Sequence, residues 1–351
     1  MSRGESSDSW LLNCRAVAAC HRLRWSVWPL PPQSFEFRLG RETRRTPHKQ
    51  KAMARTRNSA KRRRVAITVE SALFNPDVVF LLVALLDARD LCQVSLTCKT
   101  LGGRKAAHNG LSLVEEAARR MLESATTDWE RTCLPNYDDE GWIELYHHLL
   151  MLRSKLTFDQ LVGDGIQYGE DQSSVRTSRC LHASAFCSDH VMRAGRHFAV
   201  FSGLPSSFED SGSIDFGIVR PIQINKSDFA VGELKVFSPM MMKFREYLRG
   251  QRTERWGDST VHCCAVSTTR YFRWYDWTSN GESGGRIGSF QHGVTTGLLL
   301  DLDEGMLSIY QNGQRLAKLK DGLSGEYCWF ASAFRSDISS MSIQRDPSPE
   351  I

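Results

Sequence analysis

No stretch of this sequence is apolar for long enough to cross a membrane. The longest run, VVFLLVALL at 78–86, has nine residues, against the roughly 20 a spanning helix needs. A secretory leader pattern is missing too, since Glu5 and Asp8 stand ahead of any apolar stretch. The ten cysteines, at 14, 20, 92, 98, 133, 180, 187, 263, 264 and 328, form no Cys-x-x-Cys pair. That removes the commonest zinc and redox modules, and scattered thiols of this kind behave as small core residues in a reducing compartment. No Walker motif and no His-Glu-x-x-His is present. Gly163-x-Gly165-x-x-x-Gly169 has the wrong spacing for a dinucleotide loop and follows no strand. Gly281-Glu282-Ser283-Gly284-Gly285 fits Gly-x-Ser-x-Gly in letters alone. A nucleophile elbow needs an apolar strand before the serine and a helix after it, and neither pattern is there. No carboxylate pair stands out. The chain is therefore expected to be no enzyme, with no catalytic residue, cofactor or metal.

One grouping asks for a closer look: Cys180, His182, Cys187 and His190. The ligand types suit zinc, but the spacing Cys-x-His-x4-Cys-x2-His matches no common zinc module. A strand with Cys180 and His182 on one face accounts for the same residues.

The charge is unevenly distributed. The 351 residues carry a formal net charge of +5, yet residues 1–64 hold 16 Lys and Arg against 4 Asp and Glu, and the rest hold 29 against 36. The basic character belongs to a leader, and the folded part is mildly acidic. A nucleic-acid-binding domain would carry its charge on the folded surface, so nucleic acid is not an expected partner. The leader, 1–65, has no sustained period. It ends in Lys61-Arg62-Arg63-Arg64, which reads as a nuclear import signal or a solvated basic tail. Nucleus or cytoplasm is the expected location. Met53 opens a compact basic segment and is the expected translation start, which N-terminal sequencing of the native protein checks.

Beyond the leader the pattern turns helical. Asn75 is a good N-cap and Pro76 suits the first helical position. After the apolar run, Asp90 with Gln93 resembles a capping-box start, and Leu91, Val94, Cys98 and Leu101 recur at helical spacing. Gly102-Gly103 stops that helix. Ser112-x-x-Glu115 opens another, striped by Leu113, Val114, Ala117, Met121 and Ala125. A fourth runs over 142–153, with Trp142, Leu145, Tyr146, Leu149 and Leu152 on one face and Phe158 and Leu161 extending it. Residues 66–162 are thus expected to form a small all-α unit.

Residues 163–180 are rich in Gly, Ser and charge and read as a linker. Over 181–346 short runs of Val, Ile, Phe, Tyr and Trp alternate with turn residues, the pattern of an antiparallel β-sandwich. Candidate strands lie at 197–201, 214–219, 261–266, 271–274, 296–302, 306–310, 315–320, 329–334 and 341–343. Asp303-Glu304-Gly305 and Asn312-Gly313 mark hairpin turns, the second because both central positions need positive φ. Residues 347–351 read as a tail. The fold class expected is multidomain α and β.

The β half resembles SPRY domains. Gly195-Arg196-His197-Phe198-Ala199-Val200 and Phe216-Gly217-Ile218-Val219-Arg220 are similar to two of the family's strands. The fullest match is Gly297-Leu298-Leu299-Leu300-Asp301-Leu302-Asp303-Glu304-Gly305, continued by Ile309-Tyr310-Gln311-Asn312-Gly313, with Gly325-Glu326-Tyr327-Cys328-Trp329-Phe330 after it. The resemblance implies a β-sandwich that binds partner proteins through loops at one edge and performs no catalysis. The α half resembles an F-box over about 30 residues, through Asn75-Pro76-Asp77-Val78 and Leu91-x-x-Val94-Ser95-Leu96-Thr97-Cys98-Lys99. It departs from that family in Asn75 before the proline and in Thr100-Leu101 where an aromatic is usual. A plain helical hairpin packing on the next two helices is the other reading of the same residues.

Together these resemblances imply a substrate receptor of an SCF-type ubiquitin ligase, with an adaptor and cullin as partners and a target protein or peptide on the sandwich. A SPRY-type scaffold unrelated to ubiquitin is the alternative. A nuclear nucleic-acid-associated protein acting through the leader is the remote one. The expected adaptor face is Pro76, Val78, Leu81, Leu91 and Leu96, beside Phe80 and Leu85. On the sandwich, alternation along Tyr271-Phe272-Arg273-Trp274-Tyr275-Asp276-Trp277 puts Arg273, Tyr275 and Trp277 on one side. These are residue types that dominate binding hot spots, and they are the expected partner-binding set. Arg220 and Trp256, in Arg255-Trp256-Gly257-Asp258, join them. The methionines of 238–249 are read as gap fillers.

Overall fold

A computed structural model describes residues 75–83, 85–97, 99–103, 109–205, 212–278 and 283–346. The leader with Lys61, Arg62, Arg63 and Arg64 lies outside the described residues, as does the tail 347–351. The chain divides into two units. Described residues 75–125 and 139–147 form the first, and 126–138 with 148–346 the second.

In the first unit, helix α1 (Pro76–Val83) starts as its sequence dictates, with Asn75 Oδ1 accepting from the Asp77 N–H at 2.9 Å. Helix α2 (Ala88–Thr97) starts earlier than the Asp90–Gln93 pattern suggested. Asp87 is the cap, its Oδ1 accepting from the Asp90 N–H at 2.8 Å. A short turn α3 (Lys99–Gly102) comes next. Helix α4 (Leu113–Ala125) is the element against which α1, α2 and α3 pack. Ser112 caps it, its Oγ accepting from the Glu115 N–H, and the Glu115 carboxylate accepts from the Trp142 N–H at 2.7 Å. Val79, Leu91, Leu113, Val114, Ala117 and Ala118 are buried in this unit. Glu116 is held by Arg119 and Arg120, each 2.8 Å away, and those guanidinium groups lower its pKa to about 2.

The second unit begins with helix α5 (Asp128–Cys133). Its capping box is complete: Thr127 Oγ1 accepts from the Glu130 N–H, and Glu130 accepts from the Thr127 N–H at 2.8 Å. Helix α6 (Trp142–Arg153) ends here, where Arg153 Nε lies 2.6 Å from Glu130 Oε1.

The strands are β1 (Gln160–Val162), β2 (Ile166–Tyr168), β3 (Ser174–Phe186), β4 (Arg196–Pro205), β5 (Ser213–Val219), β6 (Val261–Ser267), β7 (Tyr271–Asp276), β8 (Ser283–Arg286), β9 (Thr296–Asp301), β10 (Met306–Gln311), β11 (Gln314–Lys320) and β12 (Cys328–Arg345). All pair antiparallel. The stretch read as a linker, 163–180, is paired sheet. Gly163 and Gly165, at φ 115° and 72°, supply the turn from β1 to β2, and β3 runs through the rest. The composition misled because these turn residues join short strands and do not separate domains. Phe158 and Leu161, expected with the helical part, belong with the sandwich core, Phe158 inside it and Leu161 packed against it.

The long strand β12 organises the layers. It pairs with β5 over Cys328–Phe334 and with β4 over Ser339–Arg345, while β3 runs along its other side. The sheet thereby continues into β9, β10 and β11 at one end and β6, β7 and β8 at the other. Arg179 in β3 and Arg335 in β12 have φ of 49° and 46°, which interrupts the alternation where the long pair bends. The two layers enclose one core, in which the Phe201 ring lies 5.0 Å from that of Phe216 and 5.9 Å from that of Trp329. Asn312 and Gly313, at φ 53° and 74°, form the expected tight turn between β10 and β11.

The other face of the β5–β6–β7 layer is also buried. Between β5 and β6 the chain makes an excursion over 220–260, containing helix α7 (Arg245–Arg249), that lies on this face. Phe237, Phe244, Leu248 and Trp256 from it pack with Val219, Cys263, Ala265 and Phe330 of the strands. Adjacent cysteines record the arrangement: Cys264 belongs to the inter-layer core and Cys263 to the outer one. Met240 and Met241 pack against this outer core, as gap fillers do.

Candidate protein-interaction surfaces

The second core decides the fate of the aromatic strand β7. Tyr271, Arg273, Tyr275 and Trp277 point to the outer face, and Phe272 and Trp274 to the inter-layer core. Tyr275 and Trp277 are therefore buried, at 8% and 5% exposure, under the excursion over 220–260. This corrects their expected place at the surface. The period-2 reading was sound, but it assumed that one face of the strand meets solvent. Trp256 is buried too, and stacks on Trp277 with ring centroids 6.0 Å apart. His262 stacks on the other side of Trp277 at 4.3 Å, and burial pushes its pKa down to about 4.

Arg220 is likewise a structural residue. Its side chain is fully buried, and its guanidinium donates to the carbonyls of Val261, Ser259, Ser324 and Glu326 at 2.9–3.1 Å. The Tyr327 ring lies 4.0 Å from its Cζ. Burial lowers its pKa to about 10, so the group stays cationic at neutral pH. Of the five expected partner-binding residues, Arg273 alone is half-buried and the other four are buried.

What does reach solvent on this side is the start of β7 and the paired end of β8. Tyr271 is 45% exposed, with the Arg286 guanidinium 6.0 Å over its ring. Arg270 precedes the strand at φ 72°, its Nε 3.2 Å from His292 Nε2. Lys320 of β11 stands 5.4 Å from the Trp274 ring. Sequence reasoning passed over Arg270 and Arg286. The signal was the length and aromatic content of the excursion over 220–260, which marks the neighbouring face as covered. Ser283 opens the exposed strand β8, a setting without the helix that a nucleophile elbow requires.

On α1, on α2 and in the turn between them, Leu81, Leu96 and Leu85 are exposed at 72%, 54% and 82%. Val78 and Phe80 are half-buried, and the Arg120 guanidinium lies 4.1 Å over the Phe80 ring. Leu91 is fully buried, contrary to its expected place on the docking face, because α2 packs against α4 and Leu91 serves the core of the unit. Pro76 opens α1.

Several buried titratable groups have structural settings. Burial raises the Asp215 carboxyl to about 6, against a hydrogen bond from Ser267 and the charge of Arg273. Asp159 and Asp189 form a carboxyl pair, both pushed up, first by burial and for Asp159 also by the charge of Asp189. The Ser188 N–H donates to Asp159 Oδ1 at 2.5 Å. Thirty residues separate the two carboxyls, so no local pattern announced them. Among the described residues, no three of Cys180, His182, Cys187 and His190 bring ligand atoms together. Cys180 lies in the inter-layer core while the His182 ring packs on Phe334 at 4.3 Å, so the two do not share a face as the strand reading expected. The left-handed Arg335 of β12 lies opposite the residue between them, where the pairing of β3 with β12 is irregular. A cavity of about 20 Å³ lined by Cys133, His148, His190, His197 and Trp329 has room for one water.

No known protein family matches the sequence, and no curated protein does. Solved structures similar to the chain include the SPRY domain of human HERC1, at 13% identity and a TM-score of 0.35 over 54% of this chain and 99% of that one. The TRIM65 PSpry domain has 11% identity and a TM-score of 0.32 over 53% of this chain and 87% of that one. Stonustoxin has 12% identity and a TM-score of 0.30 over 54% of this chain and 27% of that one.

Proposed function

We propose that this chain is a protein-interaction receptor. In this reading the SPRY-like sandwich captures a target protein or peptide, and the helices α1 and α2 dock on the adaptor of an SCF-type ubiquitin ligase that includes a cullin. The reading assigns no catalytic step and no cofactor. The resemblance to SPRY domains supports the first half, since its fullest segment falls on β9, β10 and the tight turn to β11. One observation carries the second half: Leu81 on α1, Leu96 on α2 and Leu85 in the turn between them are exposed. Large apolar side chains in water mark a surface that a partner covers. A partner helix or groove is the usual cover for such a set.

The test is affinity capture from cells with the full chain and with a variant carrying Leu81→Asp, Leu85→Asp and Leu96→Asp. The wild-type chain is expected to recover an SCF adaptor and cullin, and the variant to lose both while keeping its melting temperature. Failure of the folded wild-type chain to recover either one removes the ubiquitin half. The remaining reading is then a SPRY-type scaffold, which the burial of Leu91 favours, since a residue expected on the docking face serves the helical core instead. A nuclear signal at Lys61, Arg62, Arg63 and Arg64 belongs to the same proposal, tested by the location of a fluorescent fusion lacking residues 1–64. If nucleic acid binding through the leader were the function, binding would fall steeply with salt and vanish with that deletion.

A further inference from the structure

We infer that the outer edge of β8 receives an acidic peptide in extended conformation, which joins the layer as an additional strand. The inference rests on the reading of the sandwich as a target-binding module and specifies where and what it binds.

Among the described residues β8 pairs with β7 alone, and the order of the layer ends there. Ser283, Gly284 and Arg286 are exposed, so among the described residues this edge is uncovered. An edge strand presents N–H and C=O groups ready to pair with another chain, and proteins commonly guard against it with proline, lysine or a bulge. Ser283-Gly284-Gly285-Arg286 has none of these, and its register with β7 is unbroken from Trp274↔Ser283 to Tyr271↔Arg286. The glycines are required by the pairing. A Cβ on Gly284 would fall 2.0 Å from the Phe272 carbonyl oxygen, and one on Gly285 2.8 Å from the Phe272 ring. They also leave the middle of the edge without side chains, so a second backbone can come close. The end of the strand is fixed, because the Ile287 N–H donates to the Arg270 carbonyl at 2.9 Å. An incoming strand therefore meets a preformed edge.

Charge selects the occupant. Arg286 ends the edge beside the exposed Tyr271, and Arg270 sits in the adjoining turn. A strand laid against β8 sends alternate side chains to the outer face, where carboxylates meet these guanidinium groups. A nucleic acid suits the site less. It stacks bases on open aromatic faces, whereas Tyr271 already carries the Arg286 guanidinium and Phe272 and Trp274 are half-buried against the core.

The experiment uses the full chain and a fluorescent peptide of alternating Glu and Val, followed by anisotropy. Two further probes carry backbone N-methyl groups on alternate residues, one in each register, and a single-stranded oligonucleotide serves as competitor. Saturable binding of the unmethylated peptide is expected. It should weaken at least tenfold for one of the methylated probes, and at least tenfold when the chain carries Arg286→Gln. The inference is overturned if the unmethylated peptide does not bind, or if both methylated probes bind equally well. It is also overturned if the oligonucleotide binds more tightly than the peptide. The methylated probes need no variant, so a misfolded Arg286→Gln chain leaves the test intact. If the wild-type and Arg286→Gln chains capture the same cellular targets equally, the edge site is wrong and the target-binding reading stands.

Discussion

The indole rings of Trp256 and Trp277 lie parallel, 8° apart in plane with centroids 6.0 Å apart. One comes from the excursion that covers the outer face, the other from the end of β7. Their contact makes a stretch that looks like a binding loop part of a core. Trp277→Ala is therefore expected to cost about 3–5 kcal/mol of stability, and Tyr271→Ala, at an exposed position of the same strand, less than about 0.5 kcal/mol. Urea denaturation of the two variants checks the contrast. Equal costs would mean that the outer face is not covered as described.

Arg220 gives a second prediction. Its guanidinium serves four carbonyls from two segments, 259–261 and 324–326. Arg220→Met leaves those acceptors buried without their donor, and a loss of at least about 3 kcal/mol is expected. Arg220→Lys keeps the charge but lacks the planar fork, so it should recover less than half of the loss. A chemical denaturation series on the two variants measures the difference.

Raised carboxyls and depressed histidines contribute to the pH dependence of stability in opposite senses. Asp215, Asp159 and Asp189 hold their protons more tightly in the folded chain. Each contributes stability that is complete below the ordinary carboxylate range and lost as pH rises through the raised value. For Asp215 the window runs from 3.8 to about 6, on the order of 3 kcal/mol at 1.36 kcal/mol per pKa unit. His197 and His262, each pushed from 6.5 down to about 4 by burial, act in the opposite sense. Their contribution is complete above 6.5 and is lost as pH falls toward 4. Asp215→Asn should therefore gain on the wild type as pH rises through this range. Denaturation midpoints taken between about pH 4 and about pH 7 test the sign, and a difference independent of pH would contradict it.

On helix α2, Leu91 and Leu96 separate core from surface. Leu91→Ala should cost about 2–5 kcal/mol, while Leu96→Ala should stay within about 0.5 kcal/mol and reduce adaptor capture. Melting temperature read alongside capture distinguishes a lost interface from a lost fold.

How much of this could be read from the sequence varies with the element. The Asn312-Gly313 hairpin was legible because positive φ at two successive residues leaves few alternatives. Asn75 and Ser112 were legible as caps because a side-chain acceptor one turn before an apolar run has one evident use. The strands of 160–186 were not, because their turn glycines resemble a linker until their partner on β12 is known. The two strands foreseen at 329–334 and 341–343 are one, since pairing with β3 carries the chain through the bend at Arg335. The surface role of Tyr275 and Trp277 failed for a related reason. Alternation says which residues share a face, but whether that face is wet depends on the excursion over 220–260, made earlier in the chain.

The sharing of β12 between the layers bears on how the protein is made. During synthesis, β3, β4 and β5 are complete long before residues 328–345 emerge, and each relies on those residues for pairing. Until then the growing chain holds three strands without their common neighbour, with their apolar faces uncovered. Pairings between residues so far apart in sequence form slowly. A ribosome-bound intermediate with open strand edges is a natural client for chaperones.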